Sequence, residues 1–515
     1  LGVADAGIPL DGRAPGAPLV SPPLVALGIV AVIVFGTIGF ALLGVRHVKM
    51  DPQQYIVGGR SFGTLFLWVL QAGEIYTTFT FLGIAGLAYS QGAPAFYVMA
   101  YGTVAYIIAY FVTPAVWRVG KECNLLTGPD FFETRYNSRA LGIGAALLQF
   151  AMIVPYVAIQ LSGLQILLRI AGYGAYDATL SVIVAFLVLA LFVFSAGLRG
   201  TAWASVVKDV LVLGAVLFAG IAIPIRFFGS PAAMFDRAFA VHPQLLALPY
   251  GAAYHGTIWF ASTVLLSAVG FYMGPQSFNA VYSARSGDAL RRNAVLLPFY
   301  QCFLSLMIFA GYSAALLTPG LKGTAVDQSF MLVVQHYYPS WILGLVAGAG
   351  ALAALVPASA LLLGGASVIT KNVASDAFGI ATSDAERTRL TRILVIVTAL
   401  LALGVWLVAQ KTVVELLLLY YNGISQFAPG VVATFVWRRA TALGVGAGIL
   451  TGLLVAVPLA ATNVTPLGMN AGFVGLLANV IVLIAVSLLT RPAEKAPQNA
   501  GPLRSGSGGT TDLRG

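Results

Sequence analysis

The chain has 515 residues, of which 59% are hydrophobic and only 9% charged, with a formal net charge of +10. Soluble globular domains carry about 25% charged residues, so this composition excludes one and points to an all-α polytopic membrane protein. The basic excess implies no nucleic-acid partner, because Lys and Arg are spread through short loops between apolar runs. Cys123 and Cys302 supply neither a disulfide framework nor a metal-ligand spacing.

Residues 1–22, rich in Pro and Gly and without a basic region leading into an apolar core, read as a disordered arm. A transmembrane domain over 23–490 follows, in which thirteen runs reach the roughly 17–25 apolar residues a spanning helix needs. They lie at 23–45, 64–89, 94–117, 140–170, 179–198, 201–224, 256–275, 294–317, 340–370, 390–409, 413–437, 441–461 and 473–490. Residues 491–515, rich in Gly, Pro and Ser, read as a disordered cytoplasmic tail. With the N-terminus outside, 21 of the 28 Lys and Arg fall in inner loops and tail, 6 fall outside, and Lys208 stays within a span. That asymmetry places the C-terminus in the cytoplasm of a bacterial-type plasma membrane.

The second span, Leu65 to Tyr89, is interrupted by Gly73, Glu74 and the hydroxyl run Thr77, Thr78 and Thr80. A carboxylate at that depth costs about 2.5–3.5 kcal/mol or more, which makes it a functional-site candidate. Gly beside Thr is also where a helix can unwind and offer carbonyls to an ion, provided the gap lines a cavity. The loop from Trp117 to Arg139 carries Pro129-Asp130 as a helix cap, and residues 274–292 read as a second basic cytoplasmic loop. These loops hold matching places in two groups of five spans, 2 to 6 and 7 to 11, whose odd number forces opposite topology, as in inverted-repeat transporters.

Several segments in this order resemble the sodium/solute symporter family across nearly the whole chain. They are GGRSF at Gly58–Phe62, TFLGIAG at Thr80–Gly86, PDFFETRY at Pro129–Tyr136, AGLRGTAW at Ala196–Trp203, GPQSFNAVYSAR ending at Arg285, and the small-residue ninth span through Asn372. GEIYTTFTF, KDVLVL and ALVPA bring the likeness closer to the monocarboxylate permease branch. The resemblance implies about thirteen helices, a five-plus-five inverted-repeat core of the LeuT type over about 64–437, and alternating access. It also implies cation-coupled symport of a small molecule such as pyruvate, lactate, acetate or propionate, with sodium or a proton as coupling ion and no other cofactor.

Carried onto this chain, the family's sodium site would take carbonyls from Gly73, Tyr76 and Ala353 and hydroxyls from two positions occupied here by Val356 and Pro357. Neither has a hydroxyl, and a hard cation favours oxygen ligands. Ser359 is the nearest substitute. In the sixth span, Ser205 stands where the family usually has an aspartate, and Lys208 and Asp209 follow one turn later. Lys208 resembles the lysine with which some proton-coupled amino-acid transporters of this fold fill a vacant sodium site. Balanced between burial and Glu74 or Asp209, it would bind and release a proton; it would otherwise snorkel to the cytoplasmic rim, or serve as counter-ion to the substrate.

Candidate substrate contacts are Thr77, Thr78, Thr80 and Gln160 from the first repeat, Ser267 to Gly270 with Phe271 and Tyr272 from the second, and Tyr420, Tyr421, Asn422 and Gln426 on the eleventh span. Each has a structural alternative, as a hydroxyl bonded back to its own helix or an amide joining helices. A uniporter or proton-coupled amino-acid carrier, and more remotely a channel, remain as alternatives. An enzyme is not indicated, for no His lies at membrane depth to serve as a base, and no phosphate-binding loop is present.

Overall fold

The computed structural model describes residues 21–491 apart from 49–50, 253–254, 382 and 409–410. The arm and tail expected over 1–22 and 491–515 therefore lie, save for Ser21, Pro22 and Arg491, outside the described residues. Among the described residues the chain is helical, and its one β-type pairing is an isolated bridge between Phe62 and Ala284.

α1 (Pro22–Val45) crosses first, and α2 (Pro52–Val57) follows, with the Asp51 side chain accepting from the Gln54 N–H at its start. α3 (Thr64–Ile75) and α4 (Ile84–Gln91), joined through a π-turn at Phe79–Gly83, form one span bent by 51°. α5 (Tyr97–Glu122) returns to the short α6 (Gly128–Tyr136), whose N-cap is Thr127, with Asp130 closing a capping box. α7 (Arg139–Ala171) leads to α8 (Ala178–Leu217), which turns at Gly197 with φ 59° and ψ −163°, a backbone open to glycine and to few other residues. The spans expected at 179–198 and 201–224 are thus two limbs meeting at one residue.

α9 (Ile223–Phe228) and α10 (Pro231–Val241) precede a second bent span, α11 (Thr257–Gly270) with α12 (Pro275–Ser283), broken by 50°. α13 (Gly287–Cys302) and α14 (Ser305–Leu317) cross next, followed by α15 (Ser329–Tyr337) and α16 (Ser340–Val368), which ends in a π-turn at Ile369–Ser375. α17 (Asp384–Val408), the pair α18 (Val413–Ile424) and α19 (Ala428–Val436), α20 (Ala442–Ala461) and α21 (Ala471–Leu489) complete the bundle.

Ten described helices are long and apolar enough to cross a membrane, twelve if each bent pair is one span. The expected thirteen is reached only by adding the shorter apolar limb Thr179–Phe194. One sequence expectation is corrected: residues 274–292 are not a loop. They form α12 and the start of α13, and all nine residues of α12 are buried. The two bent pairs stand five crossings apart, at the head of each half of the core.

α16 is the axis of the bundle. Its most apolar window is 94% buried, against 28% for α1, and it packs on α1, α7 and α8. Small residues permit this: a Cβ at Gly344 would meet the Ala26 backbone at 2.9 Å, and one at Gly350 would meet the Phe81 ring at 2.7 Å.

Candidate functional site

The first bent pair is stitched by its own threonines. Tyr76 leaves the helix with φ −90° and ψ 90°, so the N–H of Thr77 does not return to the Gly73 carbonyl. It donates instead to Thr80 Oγ1 at 2.7 Å, and that hydroxyl donates to the Thr77 carbonyl at 2.9 Å. The Thr78 N–H donates to Gln160 Oε1 on α7 at 3.2 Å, and the Phe79 N–H to Thr77 Oγ1 at 3.2 Å. With these donors committed elsewhere, the Gly73 and Tyr76 carbonyls are left facing α8.

Lys208 takes both. Its Nζ donates to the Gly73 carbonyl at 2.8 Å and to the Tyr76 carbonyl at 3.1 Å, and pairs with Asp209 Oδ1 at 2.9 Å. The side chain is fully buried, so it does not snorkel to a rim, and its ammonium has three oxygen neighbours for its three protons. Close approach of the helices makes this possible: a Cβ at Gly73 would stand 2.8 Å from Ser205 Oγ. Ser205 itself donates to the Thr201 carbonyl at 3.0 Å.

The α16 side of a sodium cage does not fit the ion. Val356 and Pro357 are buried without hydroxyls, and Ser359 donates to the Val356 carbonyl at 2.6 Å and meets Thr201 Oγ1 at 2.9 Å. Ala353 is buried in α16 and is not among the residues Lys208 contacts. Two carbonyls and a carboxylate, already holding an ammonium, are what the chain offers a cation here.

Glu74 turns the other way. No ion pair joins it to Lys208 among the described residues; it lines two small cavities, about 20 and 10 Å³, between the two halves of the core. Tyr156, Phe271 and Tyr421 line both, Gln276 and Tyr420 the first, Tyr101, Thr77 and Gln301 the second. The rings touch one another, Tyr156 with Tyr420 at 4.5 Å and Tyr101 with Tyr421 at 5.9 Å between centroids.

Of the substrate candidates read from sequence, Thr77, Phe271, Tyr420 and Tyr421 line these cavities. Thr78, Thr80, Gln160, Ser267, Tyr272 and Asn422 are not among their lining residues. Thr80 and Gln160 are spent on the helix break, Ser267 is fully buried in α11, and Asn422 faces α21, where a Cβ at Gly472 would meet its Oδ1 at 2.4 Å. Tyr272, half-buried, meets Phe271 edge to face at 5.1 Å between centroids. Sequence reasoning missed Tyr101, Tyr156, Gln276 and Gln301. An aromatic or a lone amide in an apolar run carries no periodic signal, and Gln276 stood in a segment read as loop.

At the far end of the bent pair, Asp327 sits in the turn Gly323–Gln328 and is 3% exposed. Its Oδ2 accepts the Val413 N–H at 2.9 Å, capping α18, and a Cβ at Gly86 of α4 would meet its Oδ1 at 2.8 Å. Burial pushes its carboxyl up to about 7; Glu415 adds to the rise, and the Val413 N–H opposes it. At the opposite end, Asp130 accepts from the Leu126 N–H at 2.9 Å and Asn372 Nδ2 at 2.6 Å, with Lys371 Nζ at 3.5 Å, so that α6 is tied to the end of α16.

Two helices broken at mid-span, five crossings apart around a polar site, define a secondary transporter of the inverted-repeat class. The sodium:solute symporter family model matches residues 55–452, and the chain belongs to that family. It is 38% identical over 486 residues to the uncharacterized symporter YhjB of Bacillus subtilis (strain 168), covering 90% of this chain and 98% of that protein. It is 30% identical over 463 residues to a monocarboxylate transport permease protein of Rhizobium johnstonii, covering 87% of this chain and 92% of that protein. Among solved structures, a Na+-coupled sialic acid symporter in a substrate-bound outward-open state superposes with a TM-score of 0.77 at 16% identity, covering 92% of this chain and 99% of that one. At that identity the likeness concerns the fold alone. The chain is thus an integral membrane transporter with a LeuT-type core.

Proposed function

We propose that this protein is a symporter importing a small monocarboxylate by alternating access, with a proton on Lys208 in the role sodium has in its family. The observation that carries the coupling is the Lys208 ammonium, held by the Gly73 and Tyr76 carbonyls and Asp209. A cation in that position joins the broken span to α8. Loss of the proton removes the charge that clamps α3 to α8 and frees the inner half of the bent pair to swing. The sodium ligands missing from α16 support the same reading, and the permease from Rhizobium supports the substrate class. The distribution of Lys and Arg favours an N-terminus outside and a C-terminus in the cytoplasm of a bacterial plasma membrane.

The test is uptake of labelled pyruvate, lactate and alanine by proteoliposomes, with choline replacing sodium at fixed pH and a proton gradient imposed separately. Uptake that persists in choline and collapses with a protonophore is the expected result. A strict requirement for sodium would overturn the proton reading.

A further inference from the structure

Arg392 lies outside both the helix break and the cavities. It stands two turns into α17, next to Thr391, whose hydroxyl donates to Thr370 Oγ1 at the end of α16 at 3.1 Å. Its guanidinium lies over two rings, Tyr55 of α2 and Phe194 of the first limb of α8, with each centroid 5.4 Å from Cζ. The residue is half-buried, and its Nε is buried without a hydrogen-bond partner. Tyr55 offers no counter-charge, since its hydroxyl is spent as a donor to the Val193 carbonyl at 2.6 Å.

Among the described residues no carboxylate pairs with Arg392. The acids of the flanking segments are committed elsewhere: Asp384 lies 4.0 Å from Arg387, Asp376 pairs with Lys371, Glu386 accepts from the Ser383 N–H, and Asp51 caps α2. A cation stripped of part of its water and given no partner by the protein is costly unless a ligand from outside supplies the charge.

The surface beside it is apolar. Leu187 and Leu191 on α8 are exposed, as are Ile393 and Val397 on α17, and in a membrane such a strip faces acyl chains. Arg389, three residues before Arg392 and about 4.5 Å nearer the start of α17, is exposed and forms no ion pair among the described residues. Two guanidinium forks above an apolar strip suit phosphate oxygens with hydrocarbon chains attached. With no acid at hand to receive a choline or an ethanolamine, they suit a headgroup of net negative charge.

We propose that Arg392 and Arg389 bind the phosphodiester headgroup of an anionic phospholipid in the groove between α17 and the first limb of α8. The lipid supplies the charge that Arg392 lacks and ties α2, α8 and α17 together. The site is independent of the substrate and of the coupling ion.

The experiment uses the full chain purified in a neutral detergent at fixed pH and ionic strength. Its melting temperature is followed as phosphatidylglycerol, phosphatidylcholine or glycerol 3-phosphate is added. Phosphatidylglycerol is expected to give a saturating rise, half complete at a concentration about fivefold below that for phosphatidylcholine, the factor that one arginine at an anionic lipid surface contributes. Glycerol 3-phosphate is expected to give none. In Arg392→Gln the two lipids are expected to become equivalent to within about twofold. Arg389→Gln is expected to weaken the preference and leave the lipid-free melting temperature unchanged. Arg439→Gln, whose arginine donates to the Leu488 carbonyl on α21, is expected to keep the full preference. Equal responses of the wild type to the two lipids, the same rise with glycerol 3-phosphate, or a preference that survives Arg392→Gln each overturns the inference. If Arg392→Gln fails to elute as a folded peak, a photoreactive phosphatidylglycerol on the wild type decides. Label recovered in peptides from 187–194 or 389–397 supports the site, and label confined to other segments overturns it.

Discussion

Lys208 reaches across from α8 to the carbonyl of Gly73 at 2.8 Å, at the point where α3 is about to lose its helical hydrogen bonds. Replacing it by Lys208→Met removes one partner of a buried ion pair and leaves Asp209, which is 6% exposed, without its cation. Removing one partner of such a pair costs about 3–5 kcal/mol. The melting temperature in detergent is expected to fall clearly and uptake to drop at least tenfold. Lys208→Met combined with Asp209→Asn is expected to regain part of the stability and none of the coupling. Equal losses in the single and double variants would show that the ion pair is not what matters.

Sodium is expected to add nothing to the wild-type melting temperature when it replaces choline at equal ionic strength. The cation position between Gly73 and Tyr76 is filled by a side chain, and the α16 positions lack hydroxyls. Any ligand that binds only the folded state raises stability with its concentration, so a rise that saturates with sodium would place an ion site in the folded chain and refute this expectation.

The spans were legible because bilayer thickness fixes the length of an apolar run, and the break in the second span because Glu74 and three threonines interrupt one. Lys208 was legible as a charge where lipid forbids one. α12 was not: PQSFNAVYS is too polar to pass as a buried helix, and it is buried because α16 and α5 cover it. Asn422 reads from sequence as a substrate contact on the eleventh span, and its side chain lies against α21. Which face of that helix turns inward is decided by α21, outside the repeats, whose Gly472 admits the Asn422 side chain. The cavity rings Tyr101 and Tyr156 sit in runs where an aromatic looks like any other apolar residue, so only the bundle could pick them out.

The wall behind the helix break is a second test of the geometry. A Cβ at Gly163 on α7 would stand 2.1 Å from Thr78 Cγ2. Overpacking of this kind costs about 1–3 kcal/mol. Gly163→Ala is expected to lower the melting temperature and to slow uptake, because it displaces the helix break. A variant that melts and transports like wild type would show that this close approach is not what holds the break.

Asp327 supplies the pH dependence. Its carboxyl, ordinarily at 3.8, is pushed up to about 7 by burial beneath the start of α18, with Glu415 adding to the shift. Between those two values the folded chain holds a proton that the unfolded chain has released, so stability falls as pH rises through the window and levels off above about 7. Asp327→Asn keeps an oxygen to accept the Val413 N–H, as Oδ2 does at 2.9 Å, and cannot ionise. The variant is expected to melt higher than wild type at pH 8, to match it near pH 5, and to lose this part of the slope between them. Melting curves of both proteins in one detergent across pH 5 to 8 make the comparison. A wild-type curve that rises toward pH 8, or a slope that Asp327→Asn leaves intact, would show that this carboxyl does not carry the effect. Because the same aspartate caps α18 and abuts Gly86 on α4, the variant is also expected to shift the pH at which uptake is half-maximal when only the side facing the Gly323–Gln328 turn is titrated.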